Sequence, residues 1–125
     1  MSTAPIGVVM TTNEALDRTA RAARNQTLFR QVNERIEALN ESFGLVLPIG
    51  EWVCECANTE CTKLIELTVA EYEAVRGEAT HFAVHPSDEH VWPDVEWVIE
   101  RNDRYWVVEK LGESAEIVER SDPRA

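Results

Sequence analysis

The chain has 125 residues, a net charge of −11, 44% hydrophobic residues and three cysteines. That length fits a single domain. A chain of this size buries roughly two-thirds of its unfolded surface, so a core can exist without a metal. The acidic balance repels phosphate and argues against nucleic-acid binding, and no run of 18 apolar residues is present to cross a membrane.

The charge is uneven along the chain. Residues 1–35 carry Arg18, Arg21, Arg24, Arg30 and Arg35 against Glu14, Asp17 and Glu34, a net +2 that leaves −13 for residues 36–125. The arginine-bearing segment is expected to lie against its own acidic body or in solvent. No positive stretch precedes the short apolar patch near the start, which argues against a secretory signal. A cytoplasmic location follows as the expectation. In a reducing compartment, clustered cysteines read as metal ligands before they read as disulfides.

Residues 1–11 are expected to form a flexible tail, 12–120 a single α+β domain and 121–125 a second tail. The stretch 12–43 lacks Gly and Pro and reads as one long helix, with Thr12 or Asn13 as cap and Glu14 and Asp17 at the positive end of its dipole. Leu28, Val32, Ile36, Leu39 and Phe43 recur at helical spacing. They predict an apolar stripe by which the second half packs on a small, mostly antiparallel sheet. Ala15, Leu16, Ala20, Ala22 and Ala23 give the first half only a thin stripe, so this half is expected to project. Gly44 suits the helix stop.

The zinc-binding part is expected over 50–120. EWVCEC and KLIELT read as two strands with ANTE as the turn between them. Thr68 and Glu71 have capping-box spacing ahead of a helix at 69–76 that Gly77 ends. HFAV reads as a strand and residues 85–94 as a loop. VEWVIER and RYWVVEKL then read as a hairpin across Asn102 and Asp103, residues that tolerate the left-handed turn conformation, with a short helix over 94–101 as the competing reading because the alternation in VEWVIER is imperfect. The segment after Gly112 reads as a short helix or an edge strand.

Cys54, Cys56 and Cys61 fall within eight residues as C-x-C-x4-C. On a strand, Cys54 and Cys56 share a face, and a turn would bring Cys61 back beside them. Glu55 and Glu60 among them are unusual company for cysteines that merely pack a core. Zinc takes four ligands in a tetrahedron, so one more donor is required. Of the three histidines, His90 lies mid-loop and is the first choice, with His85, held extended before Pro86, as the second.

RNQTLFRQVNERIEALNESFG, VCECANTECTKLIELTVAEYEAVR and FAVHPSDEHVWPDVEWVIERNDRYWVVEK together resemble a family of small bacterial proteins to which no activity is attached. The resemblance spans roughly residues 24–124. It implies C-x-C-x4-C and a histidine in a Pro-Gly-His-Glu loop ahead of Pro-(Asp/Glu)-Val-Glu. His90 aligns with that histidine, although this chain departs from the loop with PSDEHVWPDVE.

Four protein ligands would close the coordination sphere and make a structural zinc. The expected function is a non-enzymatic zinc-binding adaptor or regulator that contacts a protein partner through helix 14–43. The alternative is a redox- or metal-responsive regulator whose thiolates are the sensor. A catalytic zinc held by three cysteines alone is the third reading. No phosphate-binding glycine loop, nucleophile elbow or H-E-x-x-H motif occurs. The four tryptophans are expected to fill the core.

Overall fold

The computed structural model describes residues 12–42 and 49–124, with side chains on the first helix described from Asp17 to Leu39. The elements are α1 (Thr12–Ser42), β1 (Gly50–Val53), β2 (Leu64–Leu67), α2 (Val69–Arg76), β3 (His81–Val84), a 3-10 turn (Asp88–His90), β4 (Glu96–Arg101), β5 (Trp106–Lys110) and α3 (Gly112–Arg120). The architecture is α+β, with a long N-terminal helix against small antiparallel sheets. The strands divide into a β1–β2 hairpin and a three-stranded sheet ordered β3-β5-β4. None of the described helices is long and apolar enough to cross a membrane.

Helix α1 corrects the expected orientation. Leu28, Val32 and Leu39 point outward at 51, 41 and 48% exposure, and Ile36 is half-buried. The buried side is instead Ala22, Ala23, Gln26, Arg30, Asn33 and Glu37. The inward polar residues recur at intervals of four, three and four, so they form a stripe of their own. Each finds a polar partner elsewhere in the fold, and directional bonds therefore replace the expected apolar seam. The first half does not project either. Ala22 and Ala23 are fully buried, and Arg18 pairs with Asp94 at 2.8 Å while lying over the Trp92 ring. The side chains of the expected caps, Thr12 and Asn13, lie outside the described ones, as do Phe43 and Gly44.

Two charged groups of the sheet meet α1 in the core. Lys110 and Glu96 form an ion pair with no exposed side-chain surface, at 3.1 Å. Gln26 Nε2 donates to the same carboxylate oxygen at 2.8 Å, and the Trp92 amide donates to the other at 3.0 Å. Burial pushes the Lys110 amine down, and Glu96 opposes that shift.

The apolar core lies between α2, the hairpin and the three-stranded sheet. Trp52 stacks on Tyr72 with ring centroids 4.3 Å apart, and its Nε1 donates to Leu67 O. Phe82, Val84, Val108 and Val118 are fully buried or nearly so. Not all tryptophans fill this core: Trp97 is 57% exposed on β4.

The hairpin between β4 and β5 also departs from expectation. Among the described residues none but Gly112 has positive φ, so Asn102 and Asp103 do not use the left-handed region. Asn102 Oδ1 instead accepts from the Arg104 and Tyr105 amides, an Asx-type turn. Residues 121–124 are tied down. Asp122 pairs with Arg76, and Arg124 with Glu34, Glu37 and Glu73.

The capping box at Thr68 forms as its spacing predicts, with Thr68 accepting from the Glu71 amide and Glu71 reaching back to the Thr68 amide. The same carboxylate takes both arms of Arg104, at 2.8 and 2.5 Å. Hydrogen bonding from Arg104 is the first cause that pulls the Glu71 carboxyl down from 4.5 to about 2. A depressed carboxyl stabilises the fold above its unfolded value and loses that contribution as pH falls through the folded one. Glu71→Gln keeps a capping side chain and removes only the charge. It should lower Tm by a few degrees at pH 7. The gap from the parent should close as pH falls from about 4.5 to about 2, followed by thermal denaturation at each pH. A gap unchanged down to the lowest pH would show that the charge contributes nothing.

Candidate metal centre

The cysteines do not sit on a strand, contrary to the two-residue alternation read from the sequence. The β1–β2 ladder runs from Gly50↔Leu67 to Val53↔Leu64, and one more bond, from the Cys54 amide to Lys63 O at 3.1 Å, closes it. Beyond that the chain leaves the hairpin. The Glu55 amide donates to Ala83 O at 2.8 Å, so residues 54–56 lie along the edge of β3. Cys61 returns through a tight turn in which its amide donates to Asn58 O at 3.0 Å. The cysteine segment thus bridges the two sheets.

The 3-10 turn supplies the fourth donor. Ser87 caps it by accepting from the Glu89 amide, and the His90 amide donates to Ser87 O at 3.1 Å. His90 Nδ1 then lies 3.6 Å from both Cys54 Sγ and Cys61 Sγ. The donor atoms of Cys54, Cys56, Cys61 and His90 all fall within 4.8 Å of one another. A zinc tetrahedron with Zn–S about 2.3 Å and Zn–N about 2.0–2.1 Å has an S···N edge of about 3.6 Å and an S···S edge of about 3.8 Å. Both histidine–cysteine separations match that edge, and the widest separation would need to close by about 1 Å.

Burial grades across the site. Cys54 and Cys56 are 1% exposed, whereas Cys61 and His90 are half-buried. The thiols share protons unequally. Hydrogen bonding from Cys54 is the first cause that draws Cys56 down to about 5, and the same contact pushes Cys54 up. Burial pushes Cys61 up. Three neighbouring thiolates repel one another, and a divalent cation is what allows all three to ionise together.

His85 stays outside the donor group, but close to it. Its backbone amide donates to Cys54 Sγ at 3.2 Å, and its ring lies 4.9 Å from that of His90. Its Nδ1 is buried without a partner among the described residues. Burial is the first cause that lowers its pKa. His81 is remote in role and pairs across the sheet with Glu109 at 3.2 Å.

The residues that position this centre carry no motif of their own. Glu55, between two of the cysteines, has no exposed surface. Its carboxylate accepts from Asn33 Nδ2 at 2.9 Å and from the Ala83 amide at 3.0 Å. Asn33 also spans the Val53 backbone, accepting from its amide at 2.8 Å and donating to its carbonyl at 2.9 Å. Asn25 Nδ2 donates to Ala57 O at 2.8 Å. Helix α1 therefore grips the cysteine segment before Cys54 and after Cys56. Burial raises the Glu55 carboxyl, and the Arg30 charge leads the effects that oppose it. The one signal in the sequence was the odd placement of a glutamate between two cysteines.

No family model, curated protein or solved structure matches the chain. What the centre can do follows from its own donors and geometry.

Asn33→Ala leaves one buried Glu55 oxygen and the half-buried Val53 amide without that partner. Losing such a partner costs about 1–3 kcal/mol per group. The variant should lose roughly that much stability and unfold at lower denaturant, and should bind metal at least about tenfold more weakly. Urea melts and competition with a zinc chelator would measure both. Parent-like metal affinity in a destabilised Asn33→Ala would show that the brace serves the fold alone.

Proposed function

We propose that this chain is a non-enzymatic zinc-binding adaptor or regulator in the cytoplasm, with the metal in a structural role. The observation that carries the reading is the convergence of Cys54, Cys56, Cys61 and His90, with His90 Nδ1 at tetrahedral-edge distance from two of the sulfurs. Three thiolates and one imidazole favour zinc by ligand softness and geometry. Four protein donors fill its coordination sphere, so no position is left for a reactive water. The metal would staple the β1–β2 connection to the loop that carries His90. Because α1 grips the same connection through Asn25 and Asn33, the staple also steadies the helix. A contact role for α1 draws support from Leu28, Val32 and Leu39, which face outward while the opposite face is docked.

Elemental analysis of freshly purified protein should find about one zinc per chain, with three thiols that react only after chelation. Chelation should lower Tm. His90→Ala should weaken zinc binding by at least about 100-fold, and His85→Ala by no more than about threefold. Cobalt substitution reports the same site, since four-coordinate cobalt–thiolate absorption should appear in the parent and change in His90→Ala. Three thiols that react fully without chelation would sink the reading. So would His90→Ala protein that keeps full affinity.

A further inference from the structure

The outward face of α1 is basic as well as apolar. Arg21, Leu28 and Arg35 follow one another at intervals of seven, so they fall nearly in one line along the helix. Arg24, Val32 and Leu39 lie beside that line, and all six side chains are exposed. Leu28, Val32 and Ile36, with Gln31 and Arg35, line a shallow groove. Three large apolar side chains about half exposed in one row are unusual on a protein surface.

The arginines on this face are short of partners. Among the described residues, Arg24 and Arg35 make no ion pair. Arg21 has the exposed Asp17 one turn away, at 3.1 Å. By contrast Arg76, Arg104 and Arg124 each hold a carboxylate. Buried Arg30 and the exposed Lys63, Arg101 and Arg120 lack an ion pair there as well, so what sets this face apart is that two unpaired arginines stand beside exposed apolar residues on one helix.

Together the two features describe what would cover them. Arg24 and Arg35 bracket Leu28 and Val32, about 16 Å apart along the helix at 1.5 Å per residue, while Arg21 extends the basic strip on one side and Leu39 the apolar one on the other. The complement is a second helix with apolar residues at its middle and carboxylates about a heptad to either side. A second copy of α1 would bring three more arginines to the contact in either direction, and like charges would oppose it. A lipid surface is broad, and it would also meet the −13 carried by residues 36–125. A single helix lies along the basic strip alone.

We propose that the outward face of α1 docks an amphipathic helix of a protein partner whose apolar stripe is flanked by aspartate or glutamate. Leu28 and Val32 receive the apolar centre of that helix. Arg24 and Arg35 meet its carboxylates at opposite ends of the contact. The proposal rests on the reading of α1 as the contact element and states the chemistry of its partner. The apolar centre is small, so a single helix binds weakly, with Kd on the order of 100 µM.

A synthetic probe tests this with the full, zinc-loaded chain. It is an alanine-based helical peptide of about 21 residues, with two leucines one turn apart at its centre and glutamates about a heptad to each side. A second peptide replaces every glutamate by lysine. Fluorescence anisotropy should show the glutamate peptide binding at least about tenfold more tightly than the lysine peptide. Leu28→Glu, at an exposed position, should keep the fold by circular dichroism and weaken the glutamate peptide by at least about tenfold. The double variant Arg24→Glu/Arg35→Glu should reverse the preference between the two peptides.

No binding of the glutamate peptide up to about 1 mM overturns the proposal. So does equal affinity for both peptides, or a preference that the double variant leaves unchanged. Phosphatidylserine vesicles in place of the peptide, and sedimentation equilibrium of the chain alone, cover the other occupants. Vesicle binding or self-association that Leu28→Glu abolishes, with no binding of the glutamate peptide, assigns the face to lipid or to a second copy and overturns the proposal as well. Zinc content measured on the same samples keeps the two readings separate. A zinc-loaded chain that ignores the peptide removes the docking helix alone, whereas a metal-free chain removes the structural-metal reading whatever it binds.

Discussion

A carboxylate with no exposed surface, Glu55, constrains everything packed around it. A buried charge without partners costs several kcal/mol, so the fold must bring donors to it. It brings two: Asn33 from α1 and the Ala83 amide from β3. The Arg30 guanidinium, one helical turn before Asn33, makes no hydrogen bond to the carboxyl and acts on it through its charge. Arg30 is itself buried, with its guanidinium 3.6 Å above the Phe82 ring and hydrogen bonds to Ala79 O and His81 O. Burial is the first cause that lowers its pKa, and Glu55 leads the opposing effects. Each of the two groups thus opposes the shift that burial imposes on the other. Both positions are set only when α1, the cysteine segment and β3 are in place together.

That requirement explains why α1 docks by a polar face. An apolar stripe tolerates small slips in register, because dispersion contacts are non-directional. Hydrogen bonds to Glu55, Glu96 and the Val53 backbone do not tolerate them. A shift of one residue would rotate Asn33 away by about 100° and strand several buried groups at once. The polar interface is therefore a register device, and its strictness is inherited by the cysteines on either side of Glu55. With the inward face committed to polar contacts, Leu28, Val32 and Leu39 are left on the outward one.

Local features were legible wherever one segment determined its own structure. Thr68 and Glu71 announced a helix start because both halves of the capping box are only three residues apart. The two antiparallel hairpins followed from strand composition, although the β4–β5 turn closes through the Asn102 side chain and not through a left-handed pair. The three cysteines and His90 stood out by residue type, although their approach runs along the edge of β3 and not along the face of β1. The orientation of α1 could not be read in the same way. Its apolar residues have helical spacing, and spacing identifies a face without saying which way it points. The competing stripe of Gln26, Arg30, Asn33 and Glu37 has the same period. Choosing between them depends on buried partners such as Glu55 and Glu96, which lie 22 and 70 positions from Asn33 and Gln26 in the chain. A tertiary charge pattern overrode the usual rule that apolar residues go inside.

The position of Glu55 also links the two halves of the molecule energetically. Any constraint that fixes residues 54–56 favours the conformation in which Asn33 and Asn25 reach their partners, and so favours a docked α1. Linkage makes that relation reciprocal: whatever holds α1 in place must, by the same free energy, favour the arrangement of Cys54 and Cys56 that a metal requires. The outward face of α1 and the four-donor centre share no residue, yet they meet at one asparagine and one glutamate. A ligand on either side acts on the other to the extent that these contacts differ between the docked and undocked helix. The path is short because Asn33 bonds directly to Val53 and Glu55, the residues on either side of the first cysteine.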